Sequence, residues 1–212
     1  MDSIIKAHQD KVETIFSIAP IIPVVAIADT ADAVDIAAAF KSAGINNIEI
    51  VLRNDQGMKA IESIAASNID IHVGAGTVLA ADEVAKLKSI GTEYIISPGF
   101  SDDIHNECLK NDIPYIPGAI TPTEVQARRE QGYRHLKFFP AEAMGGLNIL
   151  KSYAGVFRDV KFCATGSIKA HNAQSYLDQK NVIAIGTSAL MTPEIQKDKN
   201  WDKIAETVKK LS

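Results

Sequence analysis

Lys137 stands between Leu136 and Phe138 in the segment HLKFFP, residues 135–140. An ammonium group in an apolar strand is costly to desolvate unless it is paired or gives up its proton. Either the stem snorkels to water or the site uses an amine in a dry place. A second segment, IEIVLRND at residues 48–55, carries two more charges. Strand side chains alternate, so Glu49, Val51 and Arg53 share one face, and Ile50 and Leu52 take the other. Charges on an inward face read as a salt-bridged strand end or as working groups. An apolar surround and a nearby guanidinium both favour the neutral form of an amine, and a neutral amine beside a carboxylate is equipment for Schiff-base chemistry on a carbonyl.

Glycine-rich strand ends supply the rest of a candidate site. In GAGT, residues 74–77, two glycines let backbone approach a ligand, and Thr77 adds a hydroxyl. Pro98 in SPG makes a rigid turn. ATGSI at 164–168 and IGTSAL at 185–190 carry Gly166, Ser167, Gly186, Thr187 and Ser188. Backbone N–H groups in such loops bind phosphate at the mouths of α/β barrels. The stretch GAGTVL is not a dinucleotide fingerprint, because Leu79 stands where the third glycine belongs.

The elements that must position these residues are legible from periodicity. Eight short apolar runs read as strands: 21–27, 47–52, 69–75, 93–97, 113–117, 135–139, 160–164 and 182–186. Helical patterns fall between them at 30–43, 55–67, 81–90, 101–111, 122–131, 145–154 and 170–179, with a closing helix near 200–211. An extra amphipathic helix at about 2–18 precedes the strands, to cover the barrel bottom or to pack at a subunit contact. Asp29-Thr30 and Ser101-Asp102 read as N-caps, and Gly44, Gly91 and Gly132 as left-handed C-caps. Continuous βα alternation means a parallel sheet. Eight units favour a closed (β/α)₈ TIM barrel over an open doubly wound sheet. The chain reads as a single domain, 1–212, with an N-terminal helix at 1–19 and the barrel at 20–212.

Composition sets limits. The 212 residues, 46% hydrophobic and 23% charged, are enough for a core without disulfides or metals. A net charge of −4 argues against nucleic-acid or anionic-membrane partners. Cys108 and Cys163 lie far apart, and His105 with Cys108 is too small a ligand set for a metal, so neither metal nor cofactor is expected. The N-terminus does not read as a signal peptide, no run reaches transmembrane length, and the expectation is a cytoplasmic protein.

The segments IPVVAI, IEIVLR, VGAGTVL, ISPGF, IPGAITPTE, KFFPAEAMGG, ATGSI and IGTSAL follow one another across residues 20 to 190. In these motifs the sequence resembles the KDPG/KHG aldolase family, class I aldolases of the Entner–Doudoroff pathway. The resemblance implies a metal-free barrel, usually a homotrimer, acting on a phosphorylated 2-oxo-3-deoxy sugar acid and releasing pyruvate. It makes Lys137 the Schiff-base lysine and Glu49 the general acid/base. Arg53 and Thr77 would hold the substrate carboxylate and adjacent oxygens, and Phe139 and Pro98 would flank the pyruvyl portion. Gly166, Ser167, Gly186, Thr187 and Ser188 would take the phosphate.

The expected reaction is cleavage of 2-dehydro-3-deoxy-6-phosphogluconate (KDPG) to pyruvate and D-glyceraldehyde 3-phosphate. The galactonate epimer and 4-hydroxy-2-oxoglutarate (KHG) suit the same imine site. Two departures from the family pattern bear on substrate preference: TGSI where the family often has TGGI, and Val51 where it often has Thr. FCATG in place of FCPTG is a third, smaller change. A phosphate-binding isomerase or epimerase barrel would need paired carboxylates or a metal, and the strand ends offer one carboxylate and one amine. A non-catalytic barrel that binds phosphorylated acids is the remaining alternative.

Overall fold

A computed structural model describes residues 3–211. Eight parallel strands run in the order β5-β4-β3-β2-β1-β8-β7-β6. They are β1 Ile21–Val25, β2 Asn47–Val51, β3 His72–Gly76, β4 Tyr94–Ile96, β5 Tyr115–Ile116, β6 His135–Phe138, β7 Lys161–Thr165 and β8 Val182–Thr187. The seam between the outermost strands is closed through Lys137 itself. Its N–H donates to Pro117 O and its carbonyl accepts from Ala119 N, each at 2.9 Å. The fold is therefore a (β/α)₈ barrel, and the open sheet is excluded.

Helices α2 Ala33–Ser42, α3 Gly57–Ala65, α4 Asp82–Ser89, α5 Asp102–Lys110, α6 Pro122–Glu130, α7 Gly146–Val156 and α8 Ala173–Leu177 fall between successive strands. Side chains that alternate outward from the strands, such as Ile48, Ile50, Ile95, Leu136, Phe138 and Phe162, pack with these helices in one large apolar layer. Asp29 and Ser101 cap as expected, accepting from Ala31 N and Ile104 N. Gly44, Gly91 and Gly132 take positive φ at helix ends. The elements differ from the sequence reading in several places, among them β5, expected over 113–117 and reduced to Tyr115–Ile116, and two helices. The helix expected over 170–179 shrinks to Ala173–Leu177, its first residues being taken up by turns. After β8 an unforeseen short helix, α9 Pro193–Asp198, precedes α10 Asp202–Leu211. Its signal was present: Thr192 caps Ile195 N, and Pro193 sits at the first helical position.

The N-terminal helix, α1 Ser3–Ile18, is the floor of the barrel; residue 2 of the expected range lies outside the described residues. Val12, Ile15 and Phe16 enter the inner apolar cluster with Ile22, Tyr94, Ile96, Ile116 and Cys163. Phe16 meets Tyr94 edge-on, ring centroids 5.3 Å apart. Gln9 Oε1 accepts from the N–H groups of Arg134 and His135, both at 2.8 Å. Glu13 joins His135 to Lys161. Burial alone would raise the Glu13 carboxyl, but the hydrogen bonds from Lys161 and His135 outweigh it and hold it below the ordinary 4.5. Burial, the larger effect on His135, holds that ring below 6.5 despite Glu13.

Both groups are depressed in the folded state, so both contribute stability above their unfolded values that is lost on acidification. The unfolding midpoint should begin to fall below about pH 6.5, where unfolded His135 gains a proton, and fall further as pH drops through the carboxylate range. Thermal melts of the parent and Glu13→Gln across this window check it. The variant should melt lower at neutral pH and lose less as pH falls through the carboxylate range; parallel curves there would remove Glu13 from this role.

Candidate active site

Strand alternation turns Glu49 on β2 and Lys137 on β6 inward, although 88 residues separate them in sequence. Lys137 Nζ donates to Glu49 Oε1 at 3.1 Å. Glu49 is fully enclosed and Lys137 is 4% exposed, so the stem does not snorkel to water. A buried ion pair of this kind is seldom placed for stability, since desolvation offsets much of its Coulomb energy.

Glycines make room for the pair. A Cβ on Gly76 would lie 2.0 Å from Glu49 Oε1, and one on Gly74 would lie 2.0 Å from the Tyr94 ring. Tyr94 therefore crosses the barrel interior beside the pair. Its phenol is pushed well above its usual range, first by burial and then by the Glu49 carboxylate. The Cys163 thiol is pushed up to about 12 by the same two causes in the same order. Both stay protonated at neutral pH, so Cys163 is no nucleophile here.

The Phe139 ring lies beyond β6, its centroid 5.3 Å from Lys137 Nζ. Phe139 and Pro98 line a cavity of 340 Å³ together with Gly118, Ile120 and Arg128. A Cβ on Gly118 would strike the Pro98 carbonyl at 1.9 Å, so that loop contact requires glycine. Thr77 follows β3 half-buried, at φ +60°. A β-branched residue in the left-handed region is unusual and fits a constrained functional turn.

Arg53 is placed differently from the alternation argument. The strand ends at Val51, so alternation does not carry to Arg53, which lies exposed in the following bend. It lines a 440 Å³ cavity with Leu52, Asn54, Asp55, Met58 and Glu83.

The loops after β7 and β8 are joined to each other. Thr187 is buried, and its hydroxyl donates to Ile168 O at 2.6 Å and accepts from Ala189 N. It acts as a staple between loops, with its hydroxyl already engaged. Gly166 and Ser167 both have positive φ, +118° and +59°. Ser167 thus occupies a conformation that glycine adopts freely, and Ser167 and Ser188 are both exposed. The loop after β6 is tied in through Ala141 N donating to Thr165 O at 2.8 Å. Among the described residues no three His, Cys, Asp or Glu side chains come together to hold a metal ion, and no helix is long and apolar enough to cross a membrane.

Sequence reasoning missed Asn47 and Ser97. Asn47 lies on the inward face below Glu49 and is bonded to Tyr94; Ser97 Oγ donates to Val78 O at 2.7 Å and ties the β3 and β4 ends together. The inward register of Asn47 with Glu49 was readable in NIEIV; its partner Tyr94 was not.

Residues 12–207 match the family model for KDPG and KHG aldolase. The 2-dehydro-3-deoxy-phosphogluconate aldolase of Pseudoalteromonas atlantica is 37% identical, over 93% of this chain and 92% of its own length. The KHG/KDPG aldolase of Escherichia coli is 34% identical, over 95% and 94%. A crystal structure of KDPG aldolase from Legionella pneumophila, with pyruvate captured at low pH as a covalent carbinolamine intermediate, superposes with a TM-score of 0.90. It is 36% identical and covers 94% of this chain and 97% of its own. The Zymomonas mobilis KDPG aldolase with 3-phosphoglycerate gives a TM-score of 0.89 at 33% identity, over 96% of each chain.

Proposed function

The chain belongs to the KDPG and KHG aldolase family, and we infer from that membership and from its enclosed amine–carboxylate pair that it is a class I aldolase. It cleaves 2-dehydro-3-deoxy-6-phosphogluconate to pyruvate and D-glyceraldehyde 3-phosphate. The observation that carries the reading is the contact of Lys137 Nζ with Glu49 Oε1, 3.1 Å, inside a barrel whose seam Lys137 closes.

In this reading Glu49 takes a proton from Lys137 across that contact, and the free amine attacks C2 of the keto acid. The carbinolamine loses its hydroxyl as water, with the proton coming back from Glu49. The protonated imine that remains is an electron sink. Glu49, again a carboxylate, removes the C4 hydroxyl proton as the C3–C4 bond breaks and the aldehyde leaves. The enamine regains that proton at C3 from Glu49. Water then hydrolyses the imine, freeing pyruvate and Lys137.

Phe139 and Pro98 flank the pyruvyl group, and Thr77 donates to its carboxylate side. The backbone of Gly166, Ser167 and Gly186, with the exposed Ser188 hydroxyl, takes the phosphate; Thr187 supports that site by stapling the loops. Arg53 holds the keto-acid carboxylate by charge-assisted hydrogen bonds. Arg53→Ala should raise KM about tenfold or more with a smaller change in kcat. An unchanged KM in steady-state assays would remove Arg53 from this role.

The reading is tested by adding borohydride to the protein in pyruvate and locating the adduct by peptide mass spectrometry. A reduced pyruvyl group on Lys137 is the expected result; no adduct on a folded sample would overturn it. We further propose a homotrimer, as the motif resemblance implies. Sedimentation equilibrium should return three times the chain mass of 22.9 kDa; a single-chain mass at assay concentration would refute the trimer.

A further inference from the structure

Beside the amine–carboxylate pair, two enclosed polar atoms have no hydrogen-bond partner among the described residues: Asn47 Nδ2, a donor, and Glu49 Oε2, an acceptor. Both residues lie on β2, and every residue of that strand is buried. Positions two apart on a strand share a face and stand about 6–7 Å apart along it. That separation suits one water molecule between their side chains. Folded proteins pair nearly all buried polar atoms, using enclosed water where no protein group reaches.

The other end of the Asn47 amide is fixed. The Tyr94 hydroxyl donates to its Oδ1 at 2.5 Å, which leaves Nδ2 as the uncommitted donor. Tyr94 reaches that point because Gly74 yields the space for its ring and Phe16 packs edge-on against it. The titratable groups that interact with Glu49 are Lys137 from β6, Tyr94 from β4 and Cys163 from β7. Tyr94 and Cys163 remain protonated, so neither adds a second negative charge beside Glu49.

We propose that Asn47 is a positioning residue for Glu49: Asn47 Nδ2 donates to an enclosed water that donates to Glu49 Oε2, and the Tyr94 hydroxyl holds the amide in place. The inference rests on Glu49 being the proton carrier of the aldolase reading. Pinning Oε2 stops the carboxylate from rotating, so Oε1 stays against Gly76 and within reach of Lys137 and of substrate. The role is felt most in proton delivery at C3 and C4; imine formation, whose protons water can also carry, slows without being lost.

The test follows exchange of pyruvate methyl protons with D2O by NMR, KDPG cleavage kinetics, and borohydride trapping. Asn47→Leu keeps the bulk and removes the donor. It should lower exchange and kcat about tenfold at unchanged KM, with trapping on Lys137 intact. Tyr94→Phe should lower both about threefold, and should add nothing in the Asn47→Leu background. Exchange by Asn47→Leu within twofold of the parent overturns the proposal, as does a Tyr94→Phe effect that persists undiminished in the double variant. Should Asn47→Leu fail to fold, unchanged exchange in Tyr94→Phe overturns it alone. Absence of trapping in the parent protein is a different failure, which removes the aldolase reading and this inference with it.

Discussion

Lys137→Met should give no borohydride-trapped adduct with pyruvate and should lose at least about 10⁴-fold in kcat/KM, because the covalent route disappears with its nucleophile. Methionine keeps the length and apolar character of the stem, so the variant removes the amine with little change in packing. It also strands a carboxylate: Glu49 is fully enclosed, and its Oε1 loses the contact at 3.1 Å. Breaking one side of a buried pair costs about 3–5 kcal/mol. The melting temperature should therefore drop along with activity, and circular dichroism on the purified variant separates a folded, inactive enzyme from an unfolded one. A folded Lys137→Met that still traps pyruvate would place the imine on another lysine.

Glu49→Gln should divide the reaction. The amide keeps the shape of the side chain and cannot carry a proton between Lys137 and substrate. Imine formation should persist, more slowly, because the keto acid can still meet the amine and water can carry protons. Carbon–carbon cleavage should fall about 10²–10⁴-fold, the usual contribution of a positioned acid/base. Single-turnover experiments that read trapped imine and released aldehyde separately would show the adduct accumulating ahead of cleavage. Cleavage at the parent rate would mean that another group removes the C4 hydroxyl proton.

These two variants probe groups that the sequence exposed through local conflict. A lysine in an apolar strand and a glutamate at the inward register of another are visible in a window of a few residues. The same is true of the eight strands, most of the helices and the caps at Asp29, Ser101, Gly44, Gly91 and Gly132. Period-two and period-3.6 patterns, caps and left-handed glycines are short-range properties of the chain. The α9 helix has an equally local cap and proline, but at six residues it is too short to show a helical period of its own before the helix near 200–211.

Arg53 marks where the local argument ends. Alternation predicts its direction only while the strand continues, and β2 stops at Val51. What ends the strand is not in its own sequence but in the pairing of β2 with β3, whose register runs Asn47–His72 to Val51–Gly76 and no further. Ser167 is similar. It takes φ +59° in a loop whose preceding residue, Gly166, lies close against Pro140 and Ala141, a conformation that residue type alone would argue against.

The sequence by itself determined which groups are available for chemistry, which strand faces carry them, and, through its motifs, the family and reaction. Only the tertiary structure decided that Lys137 and Glu49 touch, that Lys137 closes the barrel through its backbone, that Thr187 is a staple, and that α1 is the floor beneath Tyr94. The division has a physical cause. Side-chain alternation is fixed by the backbone of one strand, whereas contact across a barrel depends on stagger and closure among eight strands together. Lys137 and Glu49, 88 residues apart, meet across the closed barrel.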